Sequence, residues 1–282
     1  VSILDETVTA MGGRLLRKWI MRPLKKKEPI EERLESVGWL HSQHERRHEI
    51  REELSEVGDI ERLISRISVG RTNARDLKQL QLSLAQIPRI KAQIAKSDIL
   101  MIREINGEMK LLIELQDRIR DALVEDPPAS IRDGGIFEDG FNENLDELRE
   151  IARNGKDYIA KIKNDLSKET GIPSLKIGYN KVFGYYIEVT NTHKEKVPDH
   201  FIRKQTLVNS ERYITPELKE VEEKVLSAEE RSKTLEGELF EELRLYVSEF
   251  AEEVQQIASA IARLDCLQGF AEVSFRNSYV RP

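Results

Sequence analysis

The side chains best suited to chemistry in this sequence are basic and lie close together. From Ile172 to Ile214 there are seven lysines and arginines (Lys176, Lys181, Lys194, Lys196, Arg203, Lys204, Arg212) against four acids (Glu188, Glu195, Asp199, Glu211), a local excess of positive charge in a chain whose net charge is −6. Asn180, Asn191, Thr192, Thr206 and Asn209 are interleaved with them. Cations mixed with short amides and hydroxyls suit phosphate contacts, which position a protein on a nucleic acid without reading its bases. The same composition fits a solvated sheet whose edge lysines discourage strand association. Charge alone leaves both readings open.

Other chemistry is thinly supported. His41, His44 and His48 in HSQHERRH fall at i, i+3 and i+7, one face of a helix, and imidazole is a good transition-metal ligand. No carboxylate or cysteine is drawn into that cluster, and Arg46 and Arg47 stand among the imidazoles, so a solvated helix face is expected. Cys266 is the single cysteine, which excludes an internal disulfide, and the helical stretch ARLDCLQGFAEV around it suggests a small buried apolar role. His193 and His200 lie within the basic stretch, and no Ser/His/Asp or Cys/His arrangement assembles. The phosphate-cradling pattern G-x-x-x-x-G-K-[ST] is absent from the sequence. The chain is therefore read as non-enzymatic, with no catalytic, cofactor or metal residues of its own.

The elements that must carry the basic stretch are mainly helical. From Thr9 to Leu123 apolar residues recur at three- and four-residue spacing, with breaks at Pro23, Pro29, Gly58, around Gly70, at Pro88 and near Gly107, which predicts a bundle of four to six helices. DPPASIRDGGIFEDG, residues 126 to 140, reads as a loop between modules. Beyond it Leu145, Leu148, Ala152, Gly155, Ile159, Ile162 and Leu166 keep a heptad rhythm that Gly171 ends. A second seam runs through Leu218, Val221, Val225, Ala228, Ser232, Leu235 and Leu239, opened by Thr215 as N-cap and Pro216 in the first turn. Two such seams separated by about 45 residues pair most simply as antiparallel arms, each about 45 Å long at ~1.5 Å per residue.

The basic stretch then sits where the arms meet. Leu175, Ile177 and Tyr179 alternate, as do Tyr185, Ile187 and Val189, which predicts a β-hairpin turning near Lys181 and Gly184. RKQTLVNSERYI, Arg203 to Ile214, is read as a third strand, because a lone hairpin is marginal in water. Tyr185 and Tyr186 should point to opposite faces. Gly178 and Gly184 are read as backbone devices. The fold class is thus mainly α, a helical bundle core with a long antiparallel helix pair ending in a small antiparallel sheet.

Composition sets the outer bounds. With 39% hydrophobic, 34% charged and 6% aromatic residues, the chain has the balance of a protein rich in long, solvated helices. No run of about 18 apolar residues is present, so no membrane partner is expected. The N-terminus lacks the pattern of a signal peptide, and a cytoplasmic location, nucleoid-associated in a bacterium, is expected. The start at Val1 and the end at NSYVRP suggest a piece of something longer.

TAMGGRLLRKWIMRPL (residues 9 to 24), IRDGGIFEDGFNENLDELR (131 to 149), GYNKVFGYYIEVT (178 to 190) and RKQTLVNSERYITPELKEVEEKVLSAEER (203 to 231) together resemble the MutS family of mismatch-repair proteins almost from end to end. The resemblance covers only the central part of such proteins. It implies a helical core and lever at 1–140, a clamp at 141–234 with its β tip at about 172–214, and a returning lever helix and core at 235–282. It further implies that two subunits close their clamps on double-stranded DNA, holding the sugar-phosphate backbone, while the lever couples the clamp to an ATPase, with its ATP and Mg²⁺, outside this chain. Downstream repair proteins are implied as further partners.

Mismatch reading in the family uses an aromatic and a glutamate in a G-x-F-Y-E context. Phe240/Glu242, Phe250/Glu252 and Phe270/Glu272 lack that context and are assigned to helices. The expected phosphate contacts are Lys181, Lys194, Lys196, Arg203, Lys204, Asn209 and Arg212. A structural coiled-coil protein whose β tip binds a protein partner is the alternative. RNA binding ranks third, since the tip lacks a stacked aromatic platform.

Overall fold

The computed structural model describes residues 3–282. Its helices are α1 (Ala10–Met21), α2 (Lys27–Ser42), α3 (His44–Ser55), α4 (Ile60–Ser68), α5 (Ala74–Leu84), α6 (Ile87–Ile94), α7 (Leu100–Glu108), α8 (Ile113–Ala122), α9 (Glu143–Thr170), α10 (Pro216–Glu249) and α11 (Ala251–Asn277). Four strands lie between α9 and α10: β1 (Lys176–Asn180), β2 (Gly184–Thr190), β3 (Ile202–Thr206) and β4 (Ser210–Ile214). The mainly α class with a small antiparallel sheet matches the sequence reading. No described helix is long and apolar enough to cross a membrane.

Two compact units divide the chain, one comprising residues to Ile131 with Gly135–Glu138 and Leu239–Pro282, the other Arg132–Gly134 with Asp139–Glu238. In the first, the span expected to hold four to six helices holds eight. Pro29 and Pro88 begin helices rather than end them, since each falls in a first turn whose N–H groups need no intrahelical partner. Gly107 also lies inside α7. The surrounding helices converge on α11, which packs against α1, α2, α3, α4 and α7. Val254, Ile257, Ile261, Leu264, Leu267 and Ala271 of α11 are all buried, as expected of a helix covered on most sides.

Polar contacts lock that unit together. Asp265 is fully buried, and its carboxylate accepts hydrogen bonds from Val8 N (3.0 Å), Thr9 N (2.8 Å), Thr9 Oγ1 (2.6 Å) and Gln268 Nε2 (2.7 Å). Burial pushes its pKa up and these donors oppose the rise. Gly12 is required beside it, because a Cβ there would lie 2.0 Å from Asp265 Oδ2. Cys266 is buried as expected, its thiol donating to Gly12 O at 3.3 Å and its pKa raised by burial.

The three histidines do not share one helical face. A break at Gln43 (φ −103°, ψ 65°) puts His41 at the end of α2 and His44 and His48 in α3. Its cause is tertiary: the buried Arg47 guanidinium donates to the carbonyls of Leu40 (2.9 Å) and His41 (3.1 Å), taking up acceptors that α2 leaves open at its end. Arg47 also pairs with Glu272 at 2.9 Å and lies over the Phe275 ring. His41 and His44 pack edge-on against that same ring, while His48 sits 3.4 Å from Glu52. Among the described residues, no group of three or more histidine, cysteine or acidic side chains is placed to hold a metal.

In the second unit α9 and α10 form the antiparallel pair that the heptads predict. Leu145, Leu148, Ala152, Ile159, Ile162 and Leu166 are buried on α9, and Leu218, Val225, Ala228 and Ser232 on α10. Asn142 caps α9 through Leu145 N (3.1 Å), and Gly171 ends it with φ +62°. Thr215 Oγ1 accepts from Leu218 N (3.2 Å) ahead of Pro216, as expected. Val225 fills the space beside Gly155, where an added Cβ would lie 2.2 Å from Val225 Cγ2.

That contact yields a stability prediction. Gly155→Ala should destabilise the chain by about 1–3 kcal/mol, overpacking outweighing the better helix propensity of alanine. Combined with Val225→Ala, which opens the space, it should show a favourable coupling of at least about 1 kcal/mol in a urea-denaturation double-mutant cycle. Additive costs would mean that the seam does not depend on this approach.

Candidate nucleic-acid interface

The sheet that carries the basic residues has strand order β1-β2-β4-β3. The sequence reading of a single third strand is corrected here. Arg203 to Ile214 instead folds back on itself as β3 and β4, with Leu207 N donating to Ser210 O at 2.8 Å across the turn. The turn contains no glycine or proline and so carries little local signal. Its consequence is that Arg203 and Arg212 lie on different strands, and β3 becomes an edge.

Register fixes the two faces. Ile177 pairs Ile187, and Tyr179 pairs Tyr185; Ile187 in turn pairs Tyr213. Ile187, Val189 and Tyr213 join Ile159, Ile162, Leu166, Ile172 and Val225 in one buried cluster, so the sheet closes over the end of the helical seam. Gly178, Tyr186, Glu188 and Arg212 occupy the opposite face. There the Tyr186 ring lies against Gly178, where an added Cβ would sit 2.8 Å from Cζ, and the Arg212 guanidinium stacks 4.3 Å from the ring centroid. Tyr185 and Tyr186 thus diverge as expected, with Tyr185 packed against the buried cluster.

The β1-β2 turn is latched to α10. Asn180 Oδ1 accepts from Val182 N (3.0 Å) and Phe183 N (2.7 Å), and Gly184 follows with φ +73°. Glu222 accepts from Tyr185 N (2.5 Å) and Lys219 Nζ (2.8 Å), while Lys219 also donates to Phe183 O (2.5 Å). A Cβ at Gly184 would lie 2.2 Å from the Glu222 carboxylate, so glycine is needed there for both conformation and space. Neither Lys219 nor Glu222 stands out in sequence, where they read as one more i, i+3 pair on an exposed helix.

The candidate contacts fall into three groups. Lys194 Nζ lies 2.7 Å from Glu211 Oε1 and Arg203 Nη1 3.5 Å from the same oxygen, so both face a carboxylate that is only 3% exposed. Arg212 is occupied by Glu188 (3.1 Å) and Gln205 (2.9 Å) beside the Tyr186 ring. The others keep uncompensated charge. Lys196 is exposed and reaches only the carbonyl of Gly171 at 3.5 Å, where a cation also complements the C-terminus of α9. Lys204 is exposed at the β-bulge between Arg203 and Gln205, and Lys181 is exposed in the β1-β2 turn. Among the described residues neither faces a carboxylate. Lys176 at the start of β1, outside the expected contact set, is exposed but stands directly across the ladder from Glu188.

These residues do not form one patch. Asn180 pairs Gly184 at one end of the sheet and Thr190 pairs Ser210 at the other. Lys181 thus sits about 20 Å, six residues of strand at ~3.3 Å each, from the end that holds the exposed Asn209 and the helical turn with Lys194 and Lys196.

The family model of MutS domain III matches residues 1–271. The chain belongs to the MutS domain III family. The DNA mismatch repair protein MutS of Salinibacter ruber is 49% identical over 282 residues, covering 100% of this chain and 31% of that protein. The protein of the same name from Bacteroides fragilis is 48% identical over 280 residues (99% of this chain, 32% of the relative), and that of Geobacillus thermodenitrificans 48% over 281 residues (99% and 31%). The chain spans about a third of the length of these relatives. Membership of MutS domain III takes in the bundle, α9, the sheet and α10 together, as the end-to-end resemblance implies.

Glu211 gives this surface a pH dependence. Hydrogen bonds from Lys194 and from the Tyr213 hydroxyl hold its carboxyl below the usual carboxylate range, and burial with the nearby Glu211 charge pushes the Tyr213 phenol up to about 12. A depressed carboxylate contributes stability that is present above the unfolded pKa, about 4.3, and lost as pH falls through the folded value. Carboxyl-carbon NMR should find Glu211 titrating below about 4.3, and Lys194→Ala should move it upward. An unchanged midpoint would show that the pair does not hold in solution.

Proposed function

We propose that this chain forms the core, lever and clamp of a MutS-like mismatch-repair protein and that its sheet grips the backbone of duplex DNA without reading sequence. On this reading residues 1–140 are core and lever, 141–234 the clamp, and 235–282 the returning lever helix and core. The long helices link the clamp to an ATPase outside the chain, which supplies the ATP and Mg²⁺ chemistry. A second MutS-like subunit closes around the same duplex, and downstream repair proteins act on the assembly in the cytoplasm.

The observation that carries the proposal is the set of uncompensated cations on a sheet set over the end of a long helix pair. Lys181, Lys196 and Lys204 hold charge that no carboxylate answers among the described residues. They supply the first phosphate contacts. Lys194 and Arg203, each more than half exposed, join by exchanging Glu211 for a phosphate, with the Tyr213 hydroxyl remaining on the buried carboxylate. Arg212 is the most firmly engaged of the expected set and acts chiefly by holding the outer face in shape. Asn209, exposed in the β3-β4 turn, adds a neutral donor.

Fluorescence anisotropy of the chain with a labelled duplex across a salt series tests this. Binding should be indifferent to sequence and to a mismatch, with a log–log salt slope near −3 to −4, as expected for about four phosphates. Lys181→Ala/Lys196→Ala/Lys204→Ala should abolish it. Glu211→Gln, which frees Lys194 and Arg203, should steepen the slope by up to about 2. Absence of salt-sensitive binding at low ionic strength would rule out an independent grip by one arm. Indifference to DNA with retention of a protein ligand would favour the protein-binding alternative.

A further inference from the structure

The helix pair has two unlike sides. One is closed: Arg149 meets Glu236 at 3.0 Å, Lys156 meets Glu229 at 2.5 Å, and Glu222 takes up the β1-β2 turn. Spacing of seven residues puts Arg149 with Lys156, and Glu222 with Glu229 and Glu236, on one face of their respective helices. On the other side lie two grooves of about 700 Å³ and 450 Å³ that share Ile151. Leu148 and Leu235 line the first, Tyr158 and Val221 the second. Ile151 is 49% exposed and Tyr158 43%, although both sit one position from the buried seam. Tyr158 is held across the gap by a 2.9 Å hydrogen bond to Glu217. An apolar strip of this kind along a charged helix pair marks an interaction surface.

We propose that this strip is a docking groove for a basic amphipathic helix of a partner protein, which packs as a third helix against α9 and α10. The shape follows from the elements: from Asn144 to Tyr158 the groove runs about 21 Å along α9, close to four turns of a helix. The charge of the occupant follows from the rim. Glu147, Glu230 and Glu238 border the first groove against Arg231, and Glu217 and Glu220 the second against Lys224, which is itself tied to Glu220 at 2.9 Å. Five acids against two bases favour lysines and arginines flanking an apolar stripe, and a second copy of this groove would set acid against acid. Neither the grooves nor their charge depend on the DNA-binding reading.

The probe is a fluorescent 21-residue peptide with leucine and isoleucine at helical three–four spacing and lysines on either side of that stripe. Added to the 282-residue chain, it should bind one to one. A scrambled peptide of equal composition should bind at least tenfold more weakly, and Ile151→Glu should weaken the ordered peptide at least tenfold. Tyr158→Phe, which keeps the ring, should have little effect. Glu230→Lys/Glu238→Lys provides a second variant at exposed positions, and it should also lose at least tenfold. No binding, equal binding of the scrambled peptide, or full binding to both groove variants would overturn the proposal. Sedimentation as a dimer that Ile151→Glu dissociates would overturn it in favour of a second copy.

Discussion

The second unit depends on the close approach of α9 to α10. Each helix has a narrow apolar stripe that is buried only where it faces the other, and packing of such a stripe supplies most of a helix's stability. The stripes meet only if small residues stand where the backbones converge. Gly155 serves this at Val225, with Ala152, Ala228 and Ser232 keeping the seam narrow nearby. The buried cluster then continues without interruption from Ile159, Ile162 and Leu166 into Ile172, Ile187 and Tyr213 of the sheet region. Four strands of five to seven residues would be marginal alone. Set over the end of the seam, they share its core, and the register of that sheet decides which end each lysine occupies.

Carboxylates, not lysines, organise the charged surface. Glu211 gathers Lys194, Arg203 and the Tyr213 hydroxyl; Glu188 fixes Arg212 over Tyr186; Glu222 holds the β1-β2 turn through Lys219 and a backbone N–H. Each cation engaged this way is pre-positioned but partly neutralised. An excess of positive charge counted along the sequence thus overstates what is free to meet a phosphate, and the free part sits on Lys181, Lys196 and Lys204. Lys194 and Arg203 are more than half exposed and can turn outward, while the buried Glu211 stays anchored to Tyr213.

Legibility in the sequence followed the range of the interactions. The helix pair could be read because heptad spacing, the Thr215-Pro216 start and the Gly171 stop are local signals that the tertiary structure also obeys. The β3-β4 turn could not, since Asn209 beside the apolar Leu207 and Val208 is a weak turn signal with no glycine or proline, and β4 is paired on both sides across the sheet. The same holds for the break at Gln43. HSQHE contains no helix breaker, and the interruption rests on Arg47, whose partners include Glu272, 225 residues away. The seven candidate residues are picked out in the sequence by type and position alone, and their division into engaged and free side chains depends on acids that look alike in sequence.

The two sides of the α9-α10 pair show how one seam carries unlike tasks. Ion pairs at seven-residue spacing close one side and leave the β1-β2 turn tied to α10 rather than to α9. The turn is held by Lys219 and Glu222 of α10. Ile151 and Tyr158 would gain from burial on the other side, yet no element of the described chain covers them. A helix pair that needed only to be stable would place charged residues at both positions, as it does at Arg149 and Lys156. Their exposed halves add nothing to the pair, whereas a further apolar surface laid along the boundary of the seam would bury Ile151 and Tyr158 together.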